Sequence, residues 1–249
     1  MRQKTTAVLS AAALVLGMVG TAQAGTLEDV RDRGVLRCVV STGIAGFAQP
    51  DANGVWGGFD VDFCRATAAA VLGDASKIEA VTSTGKTRFT KLNAGEGDVL
   101  WRNTTITFSR DVSVKLRFHG VNYYDGQGFM VKKDLGVGSA SELDGASVCI
   151  QTGTTTELNL ADYFSSNNMN YEPVPIETND EARQNYEAGR CDVYTTDASG
   201  LASTRSALPN PDDHMVLPEI ISKEPLGPAT RHGDDQWSDI VTWVLNATI

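Results

Sequence analysis

Histidine is scarce in this 249-residue chain: there are three, His119, His214 and His232, and no two are close in sequence. The four cysteines, Cys38, Cys64, Cys149 and Cys191, include no C-x-x-C pair. Zinc ligands usually come in short-range pairs, so no metal is expected, and no cofactor. Long apolar runs are missing as well. The only sustained one, Ala7 to Val19, is shorter than the roughly 20 residues a spanning helix needs. It follows Arg2 and Lys4 and leads to Ala22-Gln23-Ala24. A basic start, a short apolar core and an A-x-A close predict a secretory signal peptide, residues 1–24, cut after Ala24.

Basic charge is also in the minority, with 21 Lys and Arg against 31 Asp and Glu. Residues 1–24 hold two of the basic residues and none of the acidic ones, so the mature chain has a formal charge of −12. This excludes nucleic acid and anionic membrane surfaces as expected partners, because both need basic patches. An anionic small ligand is not excluded, since a local arginine cluster outweighs a distant net charge. The 225 mature residues suffice for one large domain or two smaller ones with real cores. An exported chain meets an oxidising compartment, so two disulfides are expected among three possible pairings.

What is present is a repeated α/β pattern. Leu27 to Arg33 reads as a helix stopped by Gly34. Val35 to Val40 reads as a strand, Asp60 to Leu72 as an alanine-rich helix, and Ile78 to Val81 as a strand. Thr87 to Leu92 is a short helix closed by Gly95, and Asp98 to Leu100 another strand. This β-α-β-α-β order implies a parallel, doubly wound sheet. The pattern restarts at Ala146 to Ile150, followed by a helix from Glu157 to Phe164. Tyr171 to Ile176 contains two prolines and is at best an edge strand. Asp180 to Glu187 is helical, Cys191 to Tyr194 is a strand, and Gln236 to Ile249 is a helix. Two lobes follow, joined through Gly126–Lys132 outward and Lys223–Thr230 on the return. Pairing Cys38 with Cys64 and Cys149 with Cys191 keeps each bridge inside one lobe.

"WRNTTITFSRD", residues 101–111, follows the strand at Val99-Leu100 and shows no helix-forming run. Asn103-Thr104-Thr105 matches a glycosylation acceptor, but the stretch also holds Arg102 and Arg110. It sits beyond the carboxyl end of a strand, where open α/β sheets bind ligands. The turn Gln151-Thr152-Gly153-Thr154 and the residues around Asp197 occupy the same position in the second lobe.

"GEGDVLWRNTTITFSRD" resembles the signature of periplasmic polar amino acid-binding proteins of ABC importers. "GGFDVDFCRATAAAV", "NYYDGQGFMVKK", "CIQTGTTTELNLADYF", "AGRCDVYTTDASGL" and "PDDHMVLPEIISKEPLGP" agree with the branch for glutamate, glutamine, aspartate and broader L-amino acid ranges. The resemblance spans roughly residues 27–245. It implies a two-lobe type II binding protein, with lobe 1 at residues 25–128 plus 228–249 and lobe 2 at 129–227. It also implies a periplasmic, non-enzymatic monomer that delivers its amino acid to an inner-membrane permease. In that family later residues complete the first lobe, so the resemblance implies a truncated chain ending inside a helix.

A free amino acid presents a carboxylate, an ammonium and a side chain. Arg110 offers a planar two-donor fork to the carboxylate, with Thr105 and the helix-opening Thr154 as further donors. Asp197, the Asn103 backbone carbonyl and the Thr105 hydroxyl are candidate ammonium acceptors. The resemblance makes Arg110 the carboxylate anchor, Asp197 the ammonium partner and Arg88 the contact to an acidic side chain. Arg102 and Gln151 are additional candidates, and Ser41, Thr42 and Phe47 are candidates for the pocket floor. Trp101 departs from the family's small residue, as a pocket wall or a buried strand residue, and His119-Gly120 replaces a more apolar phrase. An exported dehydratase or cell-wall lyase on this scaffold, or the ligand-binding lobe of a sensor, is the alternative. All three histidines lie outside the ligand loops, which disfavours an enzyme.

Overall fold

The computed structural model describes residues 25–249, and the expected signal peptide at residues 1–24 lies outside the described residues. The chain begins α1 (Thr26–Arg33), β1 (Leu36–Ser41), the hairpin β2 (Gln49–Pro50) and β3 (Trp56–Gly57), and α2 (Phe59–Leu72). It continues β4 (Ile78–Ser83), α3 (Arg88–Asn93) and β5 (Val99–Leu100). Every expected helix and strand of this run forms, with ends within two residues of expectation. Gly34 ends α1 in the left-handed conformation at φ 70°. α2 buries Val61, Cys64, Ala68 and Val71, the face its spacing predicts, in a core shared with Leu36, Cys38 and Val40 of β1.

The stretch after β5 corrects an expectation. Phe108–Val112 forms a short helix, α4, capped by Thr107, whose hydroxyl accepts from the Arg110 N–H at 3.2 Å. Five residues are too few to show a helical period, so the cap was the only available sequence signal. After α4 come β6 (Leu116–Phe118), β7 (Tyr123–Asp125) and β8 (Gln127–Lys132). The second unit is β9 (Ser147–Gln151), α5 (Thr155–Ser166), β10 (Glu172–Ile176), α6 (Asn179–Glu187), β11 (Val193–Asp197) and α7 (Ala198–Ser206). The chain then runs through β12 (His214–Val216), β13 (Glu224–Leu226), β14 (Ala229–Arg231) and α8 (Asp235–Thr248), the last two returning to the first unit.

Two five-stranded sheets result, in the orders β4-β1-β5-β14-β6 and β10-β9-β11-β8-β12. In each, one strand (β14 or β8) runs against the other four, so both sheets are mostly parallel. β10, with Pro173 and Pro175, lies at an edge, where missing N–H donors cost least. The links between lobes are shorter than expected. β7 and β13 form a separate antiparallel pair, with Glu224 opposite Asp125 and Leu226 opposite Tyr123. Gln127–Lys132 is not linker but buried strand β8, and residues 229–231 belong to the first sheet. The run Gly128-Phe129-Met130-Val131 is apolar on both faces, as suits a strand covered on both sides, and it draws Gln127 and Gly128 into the second sheet.

Cys38 bonds Cys64 across β1 and α2, and Cys149 bonds Cys191 across β9 and the entry to β11. Trp101 is a core residue. It stacks on Phe63 at 4.5 Å and 10°, and its indole N–H donates to Thr67 at 3.0 Å. His119 is buried too, bonded to Thr242 of α8 and Thr230 of β14, and burial beside Arg117 pushes its pKa down to about 4. Replacing Cys149 and Cys191 together by alanine is expected to lower the unfolding free energy by about 3–4 kcal/mol in urea melts, the loop-closure value for this separation. A loss below about 1 kcal/mol would contradict a constraining role for the bridge.

Candidate functional site

The carboxyl ends of β5, β9 and β11 and the start of α3 meet between the lobes. Lobe 1 contributes Arg88, Arg102, Asn103 and Thr105 to this cleft, and lobe 2 contributes Gln151, Thr154, Thr155, Thr156, Thr196 and Asp197. A larger groove of ≈ 690 Å³ lies on lobe 2 beside Lys132, Lys133 and His214. Its lysines and carboxylates are mostly solvated, whereas the interlobe cleft gathers buried charge, and convergent buried charge is the stronger mark of a site.

Arg88, Arg102 and Arg110 are all buried, at 3%, 4% and 6% exposure. Arg88 and Arg110 lie over the Phe89 ring, 4.7 and 5.1 Å from its centroid. Arg110 donates from Nη1 to the Thr105 carbonyl at 2.7 Å, so it stands behind the lining residues rather than among them. Arg88 makes two long contacts of 3.4 Å, to the Asn103 carbonyl and the Thr104 hydroxyl. The Nε atoms of Arg88 and Arg102 and the Oδ1 of Asn103 are buried with no partner among the described residues. Burial, and then repulsion from Arg102 and Arg110, holds the Arg88 pKa well below its ordinary value. Burial also pushes Arg102 and Arg110 down to about 10. A site that crowds three cations and leaves an Nε donor of Arg88 and of Arg102 without a partner among the described residues is built for an anion.

The opposite wall is acidic. Asp197 is the residue before α7, yet its side chain makes no capping bond and stays in the cleft. Burial, reinforced by Asp125 and Glu224, raises its pKa to about 7, against the pull of Arg88. Thr154 caps α5, accepting from the Glu157 N–H at 3.2 Å and donating to the Gln151 carbonyl at 2.7 Å. The first backbone N–H groups of α5 are therefore presented beside the cleft. Gln151 donates its amide to the Glu177 carbonyl at 2.6 Å.

Three proposed floor residues are not brought together with these. Ser41 donates to the Ala48 carbonyl at 3.3 Å. Thr42 borders a separate crevice of ≈ 310 Å³ with Asn179 and Arg183. Phe47 packs edge-on against Phe59 and Tyr123 near the links between lobes. Local sequence reads all three as one loop, but the bridge between Ile44 and Ala48 folds that loop back on itself. Conversely, two buried carboxylates escaped sequence reasoning. Asp60, in the first turn of α2, accepts the Asn103 N–H at 3.2 Å, and burial, opposed by Arg102, raises its pKa to about 7. Glu224 on β13 accepts hydrogen bonds from Thr105, Thr155, Asn159 and Ser222. Neither lies in a ligand loop, so only burial marks them.

Known proteins similar to this chain include amino acid-binding proteins. The glutamate/glutamine/aspartate/asparagine-binding protein BztA of Rhodobacter capsulatus is 60% identical over 246 residues, 99% of this chain and 73% of that protein. The general L-amino acid-binding periplasmic protein AapJ of Rhizobium johnstonii is 58% identical over 243 residues, 98% of this chain and 71% of that one. A solved ABC transporter periplasmic binding protein from Brucella ovis, with glutathione bound, superimposes with a TM-score of 0.87 at 56% identity. That superposition covers 90% of this chain and 71% of the other. The family model for bacterial extracellular solute-binding proteins, family 3, matches residues 36–249, and the chain belongs to that family.

Proposed function

We propose that the cleft captures a free L-amino acid, clamps it between the lobes and presents the closed form to an inner-membrane ABC permease. The observation that carries this reading is the polarity of the cleft: buried Arg88 and Arg102 on lobe 1, with buried Arg110 behind them, stand opposite a buried Asp197 on lobe 2 whose side chain makes no capping bond. A zwitterion has that polarity. Arg110 anchors the α-carboxylate, helped by backbone donors at Thr105 and Thr154, and Asp197 with the Asn103 carbonyl receives the ammonium. Arg88 and Arg102, whose Nε atoms lack partners among the described residues, suit a side-chain carboxylate or amide, which favours glutamate, aspartate and their amides. Ligand drives closure by its higher affinity for the closed state. One chain supplies both halves of the clamp, which suits a monomer, and the basic start, apolar core and A-x-A close of residues 1–24 suit export with a cut after Ala24.

Binding without turnover is the expected activity. His119 is bonded to Thr242 and Thr230, His214 to Tyr186 and His232 to Asp111, so none serves the cleft as acid or base. Calorimetry with the common amino acids should therefore give saturable heats and unchanged ligand, and a new product would point to an enzyme. Glutathione belongs in the same panel, because its γ-glutamyl end carries the same ammonium and carboxylate.

Arg110→Ala is expected to weaken glutamate binding about 100-fold, the scale of a lost charge-assisted pair. An affinity within threefold of the parent would remove Arg110 as the carboxylate anchor. Arg88→Ala should cost glutamate and aspartate about tenfold more than glutamine and asparagine, and equal losses for all four would discard its side-chain role.

Proton linkage gives a further expectation. Asp197 titrates at about 7 in the free cleft, and an ammonium favours its charged form. Below about pH 7 it must release a proton on binding, so affinity falls by up to tenfold per pH unit as pH drops. Above that pH it is already charged and affinity levels off. Titrations from pH 5 to 8 on the parent and Asp197→Asn should show this slope only in the parent. A slope that persists in the variant would assign the proton elsewhere, with Asp60 as the next candidate.

A further inference from the structure

Glu224 is buried at 2% exposure, lies on β13 of the β7–β13 pair and does not line the cleft. Its carboxylate nonetheless gathers donors from both lobes. Oε2 accepts from the Thr105 hydroxyl of lobe 1 at 2.5 Å and from the Thr155 hydroxyl of lobe 2 at 2.8 Å. Oε1 accepts from Asn159 of α5 at 2.7 Å and from Ser222 at 2.6 Å. The position is fixed by backbone. The Ile106 N–H donates to the Pro225 carbonyl at 2.8 Å, and the Gly227 N–H to the Thr104 carbonyl at 3.0 Å, which sets Thr105 against this segment.

A threonine hydroxyl has one proton and two lone pairs. Both Thr105 and Thr155 line the cleft, and both send their one proton back to Glu224. Their hydroxyls lie 3.3 Å apart with no proton left to join them. Each oxygen therefore offers only lone pairs to a ligand. We propose that Glu224 is a positioning residue that makes the Thr105 and Thr155 oxygens obligatory acceptors, so that the cleft selects ligands carrying an α-ammonium. Thr105 then serves the ligand's carboxylate only through its backbone, and its hydroxyl serves the ammonium. The inference rests on the amino acid-binding reading, and it adds a residue that never touches the ligand.

The test is a mutant cycle on the full chain, read by calorimetry with L-glutamate. Glu224→Gln places an amide donor where an acceptor stood, which turns at least one hydroxyl proton toward the cleft. It is expected to weaken glutamate about tenfold, the scale of one lost hydrogen bond to a charged group. In a Thr105→Val/Thr155→Val background, with the hydroxyls already gone, the same change is expected to cost nothing more. Losses that multiply would overturn the inference and assign Glu224 a purely structural role through Asn159 and Ser222, while leaving the amino acid reading intact. If the parent binds no amino acid, that reading fails and the inference falls with it. Where Glu224→Gln does not fold by circular dichroism, paired variants at Thr155 decide. Thr155→Val should lose several-fold in affinity and Thr155→Ser, which keeps the proton for Glu224, should recover most of it. Equal affinities for the two would overturn the inference.

Discussion

Three guanidinium groups buried at one seam repel one another, and much of the surrounding structure lowers the cost of keeping them there. Arg88 and Arg110 share the Phe89 ring, Arg110 is tied to the Thr105 carbonyl, and Asp60 stands close enough to Arg102 to offset part of its burial. Glu224 and Asp197 act on Arg88 and Arg110 from the far side. The cations all belong to lobe 1, whereas Asp197 comes from lobe 2 and Glu224 from the segment between them. The two halves of the site therefore attract each other across the seam. An α-amino acid laid with its carboxylate toward lobe 1 and its ammonium toward lobe 2 would replace part of that attraction with direct pairs. Closure and recognition then draw on the same charges.

The link between lobes is what allows this without loss of register. β7 and β13 pair with each other and with neither main sheet, while β13 also holds the ligand loop through the Ile106 and Gly227 bonds. The approach at Gly227 is close: a side chain there would place its Cβ 2.0 Å from the Gly120 carbonyl oxygen. Only glycine lets the returning strand pass so near the segment leaving lobe 1. These bonds tie residues 104–106 to β13, so a rotation about the pair would carry that stretch with it as a unit.

Most of the architecture was legible in the sequence because helices such as α2 and α5 are long enough to show their period, and because glycines such as Gly34 punctuate them. The cleft-lining loops were legible for a different reason. They sit at strand ends, where Arg88, Arg102, Asn103, Thr105, Thr154 and Asp197 do converge. What was not legible depends on contacts far apart in the chain. β8 reads as a linker until β11 and β12 flank it, and β6, β12 and β14 are three residues each, too short for alternation to appear. Ser41 ends β1 and Thr42 and Phe47 lie in the loop after it, but that loop folds back through its own backbone. Glu224 and Asp60 look like ordinary acidic residues, since nothing local distinguishes a solvated carboxylate from one buried against threonines or arginine.

Trp101 and Asp60 connect the core of lobe 1 to its ligand face. The backbone leaving β5 sends Trp101 under α2, against Phe63 and Thr67, and the next side chain, Arg102, into the cleft. α2 in turn delivers Asp60 to the Asn103 N–H and to the neighbourhood of Arg102. The Cys38–Cys64 bridge ties the same helix to β1. A tryptophan here fills the space between strand and helix and, through its indole N–H, fixes the helix along its axis. The helix start then holds the ligand loop. A bulky residue next to the cleft loop is accommodated because it points into the core and away from the cleft, and its packing bears on the cleft through the position of Asp60.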